Sequence, residues 1–173
     1  MVDAARHLAF GEAVVIADSA LSQRLVEGQQ LASALERCSG WPGWRRAAAV
    51  LEFADGSSQS PYESLARVRC VEHGLPPPRL QAPVRGADGR TYWVDMYWER
   101  ERTIGEVDGK IKYKERAGND PDLVRWNEKR REDTLREAGN EVVRMTPAQI
   151  DHAFGGVRAR LLAAFARTLR RAS

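Results

Sequence analysis

Between Val94 and Lys112 the chain reads V-D-M-Y-W-E-R-E-R-T-I-G-E-V-D-G-K-I-K, and this stretch brings carboxylates and lysines into a short compass. Tyr92 to Trp98 alternates large apolar or aromatic residues with others, and Thr103 to Asp108 does so more weakly, so two strands joined by the charged turn Glu99 to Arg102 are expected. Side chains two apart on a strand emerge on the same side, so Glu106 and Asp108 would emerge together. Antiparallel pairing across the turn would bring Asp95 close to Glu106. Carboxylates gathered this way repel one another unless a cation sits among them. Oxygen-only ligands favour a hard divalent ion such as Mg²⁺, and the neighbouring Lys110 and Lys112 point to chemistry on a phosphate. The other reading is a solvated edge hairpin with ordinary surface charges.

The elements that must position these groups can be read along the chain. Ala4 to about Ser22 reads as a helix, although Ala13–Ala17 is short and apolar enough for a strand. Val26 to Cys38 and Trp44 to Ala54 read as helices closed by Ser39-Gly40 with Pro42-Gly43 and by Asp55-Gly56. Ser60-Pro61-Tyr62-Glu63 is a complete capping box for the next helix: serine at the N-cap, proline in the first turn, glutamate three residues on. Gly74 and Pro76-Pro77-Pro78 force an extended entry into a strand at about Leu80 to Val84, and Gly86 to Gly89 turns the chain into the strand with Asp95. These strands and the one holding Glu106 form an antiparallel meander. The polar stretch from Lys114 to about Pro121 reads as a loop over the site. Leu123 to Ala138 is a helix, Asn140 to Met145 a short β-branched strand, and Pro147 onward leads to a C-terminal helix near Arg171.

On the Leu123–Ala138 helix, Val124, Glu128, Arg131, Leu135 and Ala138 share one face. Leu135 and Ala138 would pack on the sheet, so Glu128 and Arg131 continue that buried face toward the helix's N-terminal end. A solvated charge stripe suits Lys129, Arg130 and Glu132 better than it suits Arg131.

The pattern D-x(10)-E-x-D-G-x-x-K, from Asp95 to Lys112, is preceded by S-P-Y-E-S and followed by E-K-R-R-E-D-x-L-R-x-x-G-x-x-V-V-R. It resembles the PD-(D/E)XK nuclease superfamily. Within that superfamily it is most similar to the Vsr-like endonuclease-domain group found at the C-terminus of AbiEi-type antitoxin-like proteins. The resemblance runs from about Ser60 to Arg144. It implies an α/β (α+β) restriction-endonuclease-like core, a mixed four-stranded sheet flanked by helices, over residues 58–173, with residues 1–57 a helical extension or connector. It implies hydrolysis of DNA phosphodiester bonds with Mg²⁺ or Mn²⁺ on Asp95 and Glu106, and Glu63 joining through water. Arg131 and Lys129 would approach the phosphate or brace the carboxylates. Glu106-Val107-Asp108 puts aspartate where the superfamily's E-x-K has lysine. Vsr-like relatives often carry D-G-x-x-H, and Lys112 stands at that histidine's place, with Lys110 the next candidate for the displaced base. A winged-helix segment usually precedes this region in the resembling proteins, so a truncated or stand-alone form is implied. The setting would be defence, repair or a toxin–antitoxin locus. The alternative is a degenerate nuclease fold that binds DNA or a protein partner as an antitoxin or transcriptional regulator.

Glu63 keeps two further readings: its carboxylate holds the serine's backbone N–H in the capping box, or it pairs with Arg67 four residues on.

Composition is consistent with these readings. The chain has 173 residues, 43% hydrophobic and 29% charged, ordinary for a globular protein. Residues 1–60 carry five basic against seven acidic side chains, and residues 61–173 carry twenty-two against seventeen. The basic excess thus accompanies the carboxylate cluster, as a nucleic-acid substrate requires. No apolar run reaches membrane-spanning length and the N-terminus lacks a signal-peptide pattern, so a cytoplasmic protein is expected. Cys38 and Cys70 lack metal-type spacing and read as reduced, buried thiols. His7 and His73 are isolated and His152 reads as starting a helix. Zinc spacing, a phosphate-cradling glycine loop and a Gly-x-Ser-x-Gly elbow are absent from the sequence.

Overall fold

The computed structural model describes residues 1–108 and 121–172, and the chain divides into two compact units, Met1–Arg69 and Cys70–Ser173. Among the described residues it is an α+β protein with eight helices and one mixed four-stranded sheet. No helix among those residues is long and apolar enough to cross a membrane.

The first unit holds α1 Val2–His7, α2 Phe10–Ser22, α3 Gly28–Arg37, α4 Trp44–Phe53 and most of α5 Pro61–Glu72. One helix was expected from Ala4 to Ser22, but the chain makes two. Leu8 and Ala9 are extended, and Glu12 turns back to accept the Ala9 backbone N–H at 3.3 Å, which starts α2 afresh. The core is built of small and β-branched side chains, among them Ala5, Ala13, Val14, Ala17, Ala47, Val50 and Val68, which let helices approach closely. Gly43, at φ +79°, is where this is tightest: a Cβ there would stand 2.6 Å from the Arg6 carbonyl. A buried ion pair also ties this unit together. Both Asp18 oxygens accept from Arg67 Nη2, at 3.1 and 2.9 Å, and Asp18 Oδ1 takes the Asp55 backbone N–H at 2.7 Å.

The second unit carries β1 Arg79–Arg85, β2 Thr91–Trp98, β3 Thr103–Val107, α6 Pro121–Glu137, β4 Glu141–Met145, α7 Pro147–His152 and α8 Phe154–Ala172. Strand order is β1-β2-β3-β4, with the first three antiparallel and β4 parallel to β3. The α6 crossover makes that parallel pairing possible. Ile104, Ala82, Val84 and Val94 cluster with Leu135 of α6 on one side. Gly105 points to the other, where an added Cβ would meet Met145 at 2.9 Å and Trp98 at 3.1 Å. The Trp98 ring in turn lies 5.4 Å from Phe165 of α8. One helix was expected after Pro147. The chain instead breaks at Ala153, before Gly155-Gly156, so His152 ends α7 rather than starting a helix.

Cys38 is half-buried and Cys70 buried, and both are free thiols. Burial pushes the Cys70 thiol up to about 12, which makes it unreactive.

Candidate functional site

The site forms where β2 and β3 part. Their ladder pairs Met96, Tyr97 and Trp98 with Gly105, Ile104 and Thr103; the next rung would set Asp95 against Glu106. There the Asp95 side chain takes over, its Oδ2 accepting the Val107 backbone N–H at 2.9 Å. Val94, Asp95 and Met96 are all buried, so the in–out alternation of β2 breaks at Asp95. On β1, Gln81 lies between the rungs Leu80↔Met96 and Ala82↔Val94, hence opposite Asp95, and its φ is +43°. A left-handed glutamine inside a strand is a strained conformation, and such strain concentrates at functional sites.

Glu106 faces α6, as the periodicity of that helix predicts for its partner Arg131. Arg131 Nη2 donates to Glu106 Oε1 at 3.0 Å and to the Trp93 carbonyl at 2.6 Å. Burial and then the Asp95 charge push the Glu106 carboxyl up to about 6, against the pull of Arg131 and Arg144. Two carboxylates therefore share a desolvated corner with incomplete compensation. Asp108 follows β3, its backbone N–H donating to the Met145 carbonyl at 2.8 Å. Among the described residues no group of three or more His, Cys, Asp or Glu side chains is gathered closely enough to hold a metal.

Two further residues belong here that sequence reasoning missed. Arg144 on β4 is the register partner of Glu106, and its Nε donates to Glu132 Oε2 at 3.0 Å. Partial burial pulls the Arg144 guanidinium down, but Glu132, with Asp108 and Glu106, outweighs this and holds it above the usual arginine value. Glu132 itself receives Arg136 at 2.8 Å as well as Arg144, so it is no member of a solvated stripe. Arg144 closes the V-V-R end of the motif in the sequence, but only the parallel register sets it beside Glu106.

Of the other expected residues, Lys129 is exposed on α6, and Lys110, Lys112 and the loop expected after Lys114 lie outside the described residues. Glu63 belongs to the first unit and is buried, 1% exposed. Its Oε2 accepts the Gln59 backbone N–H at 2.9 Å and its Oε1 the Ser60 hydroxyl at 3.0 Å, while Ser60 Oγ accepts the Glu63 N–H at 3.2 Å. These bonds are a cap, extended one residue upstream of the serine. Arg67, the expected alternative partner of Glu63, pairs with Asp18.

Beside the carboxylates, an open groove of about 550 Å³ is lined by Arg90, Arg130 and Arg131 and equally by Asp88, Asp133 and Glu137, so its charges balance. Arg131 is common to the groove and to the Glu106 contact.

Part of the chain is similar to proteins of Mycobacterium tuberculosis. The uncharacterized protein Rv2248 of strain H37Rv and the uncharacterized protein MT2308 of strain CDC 1551 are each 35% identical to it over 107 residues. That span is 62% of this chain and 40% of either relative, so the chain covers well under half the length of the curated relatives it matches. No protein-family pattern and no solved structure matches the chain.

Proposed function

We propose that this chain is a divalent-metal-dependent phosphodiesterase domain acting on DNA, of the PD-(D/E)XK kind that its motifs resemble. The observation that carries the reading is the meeting of Asp95 and Glu106 at the point where β2 and β3 separate. Mg²⁺ is commonly bound through one or two carboxylates, with water and substrate phosphate completing its shell. A pair of crowded carboxylates, one pushed up to about 6 by burial and by its neighbour, is a donor set that fits such an ion. Bound by Asp95 and Glu106, Mg²⁺ or Mn²⁺ would neutralise phosphate charge and lower the pKa of a bound water.

The chain's own residues supply the rest. The Val107 N–H fixes one Asp95 oxygen, leaving the other for the ion. Arg131 braces Glu106 and, at the groove's edge, offers a planar cation to a DNA phosphate. Lys112, with Lys110 next, follows in the sequence and is the lysine candidate that the motif resemblance offers.

Incubation with supercoiled, linear, mismatched and single-stranded DNA tests the reading, with Mg²⁺ or Mn²⁺ and with EDTA. Metal-dependent cleavage abolished in an Asp95→Asn, Glu106→Gln double variant is the expected result; absence of cleavage on every substrate overturns it.

Two observations favour a second reading, a nuclease-like module that binds DNA or a partner protein without cutting, as an antitoxin or regulator does. Glu106 already has a cation in Arg131, and the third position of the motif is Asp108 rather than lysine. On that reading DNA binding persists with EDTA and no product forms with metal.

A further inference from the structure

The motif Glu106-Val107-Asp108 lacks the lysine that would stabilise charge on the phosphate, yet a cation stands at the same corner. Parallel pairing of β3 with β4 sets Arg144 beside Glu106 in register, and paired residues of a parallel ladder send their side chains to the same side. That side is the one where Arg131 and Glu132 of α6 meet the sheet. Glu132 holds Arg144 by a single bond at Nε, which leaves the guanidinium's outer N–H groups to other acceptors, and the side chain is 42% exposed. We propose that Arg144, anchored by Glu132 and set beside Glu106 by the strand register, is the phosphate-contacting cation of this site, in place of the lysine missing from position 108.

The proposal rests on the phosphodiesterase reading. Hydrolysis joins a water oxygen to phosphorus and breaks the bond from phosphorus to a sugar oxygen. The water loses a proton to solvent, and the departing oxygen gains one from solvent. Arg144 moves no proton. Its N–H groups meet the non-bridging oxygens, whose charge grows in the transition state, and a pre-positioned donor of this kind costs nothing to reorganise. Arginine suits the task because its fork can serve Glu132 and a phosphate at once. Its charge also has a price for the metal: a cation this close to Asp108 and Glu106 weakens the field that draws in a divalent ion.

Those opposed effects give the test. In the full chain, Arg144→Gln should slow Mn²⁺-dependent cleavage about 10²–10³-fold while tightening Mn²⁺ binding several-fold, measured calorimetrically without DNA. Arg144→Lys should keep part of the rate, and guanidinium ion added to Arg144→Gln should restore part of it. Lys112→Ala serves as the comparison. If Arg144→Gln cuts at the wild-type rate while Lys112→Ala does not, the proposal is overturned and the phosphodiesterase reading stands. If wild type itself does not cut, both fall. A slower Arg144→Gln with weakened Mn²⁺ binding also overturns the proposal, since that pattern marks a purely structural brace between α6 and β4.

Discussion

Asp95 Oδ2 accepts the backbone N–H of Val107 at 2.9 Å, doing with a side chain what a strand carbonyl does elsewhere in the ladder. The bond explains how β2 and β3 diverge without leaving Val107 unsatisfied, and it fixes the carboxylate that faces Glu106. Structure and candidate chemistry therefore draw on the same carboxylate, the fold using Oδ2 and leaving the other oxygen to a ligand.

The two roles separate on substitution. Asp95→Asn keeps a carbonyl oxygen able to accept from Val107, so it should fold with a loss below about 1 kcal/mol. Asp95→Ala strands a buried N–H and should lose about 1–3 kcal/mol. Urea denaturation of both variants measures the difference; equal stabilities would show that the bond contributes nothing.

Glu106 gives a pH dependence whose sign follows from its raised value. The folded state holds a proton up to about pH 6, whereas the unfolded chain releases it near the ordinary glutamate value of 4.5. In that window the native state binds more protons, so this group's contribution to stability falls as pH rises from about 4.5 to about 6. The full loss, present above pH 6, is on the order of 2 kcal/mol. Divalent metal should reverse it, because an ion competes with the proton for the same oxygens. Thermal melts at pH 5 and pH 8, with and without Mn²⁺, are expected to show a metal-dependent rise in Tm at pH 8 that is much smaller at pH 5. The Asp95→Asn, Glu106→Gln double variant should show no rise at either pH, and a wild type indifferent to millimolar Mn²⁺ at pH 8 would remove the metal from the proposal.

How much of this was legible in the sequence depends on whether the signal was local. The alternation of Tyr92 to Trp98, the Glu99–Arg102 turn and the Ser60 capping box act within a few residues, and they appear as β2, the β2–β3 hairpin and the start of α5. Arg131 was separable from its charged neighbours because helical period alone aligns it with Leu135. The break at Ala9 was hidden, because Glu12 reaching back to a backbone N–H competes with an otherwise continuous alanine-rich run. Arg144 and Glu132 were hidden for a different reason. Their pairing depends on the parallel register of β3 and β4, set across the α6 crossover by packing rather than by any short motif. The burial of Asp18 was equally invisible, since its partner Arg67 lies 49 residues away.

That buried pair carries a stability prediction for the first unit. Asp18 is 1% exposed and bonded to Arg67, Asp55 and Ser58, while Arg67 also reaches the Phe53 carbonyl and stacks on its ring. Removing one partner leaves the other charge buried and uncompensated, which costs about 3–5 kcal/mol. Asp18→Leu and Arg67→Met should each approach that loss in chemical denaturation. The double variant Asp18→Leu, Arg67→Met should lose much less than the two single losses together. Strict additivity would mean that the two residues act independently.

The contact between Arg131 and Glu106 can be isolated by a double-mutant cycle. Arg131 side-chain exposure is 32% and that of Glu106 is 16%, so the pair is only partly desolvated and its coupling should be on the order of 1 kcal/mol. Arg131→Met also removes a charge that holds Glu106 down, so the Glu106 carboxyl should titrate above its present value of about 6. NMR titration of the Glu106 side chain in the Arg131→Met variant reads that shift directly. The variant leaves Arg144 as the remaining cation beside Glu106, so Mn²⁺ meets less competition there and its binding at pH 8 should tighten. DNA affinity should fall and its salt dependence should flatten by about one unit of slope, the signature of one lost phosphate contact. If the Glu106 titration moves but the salt slope does not, Arg131 braces the carboxylate alone and makes no contact with DNA.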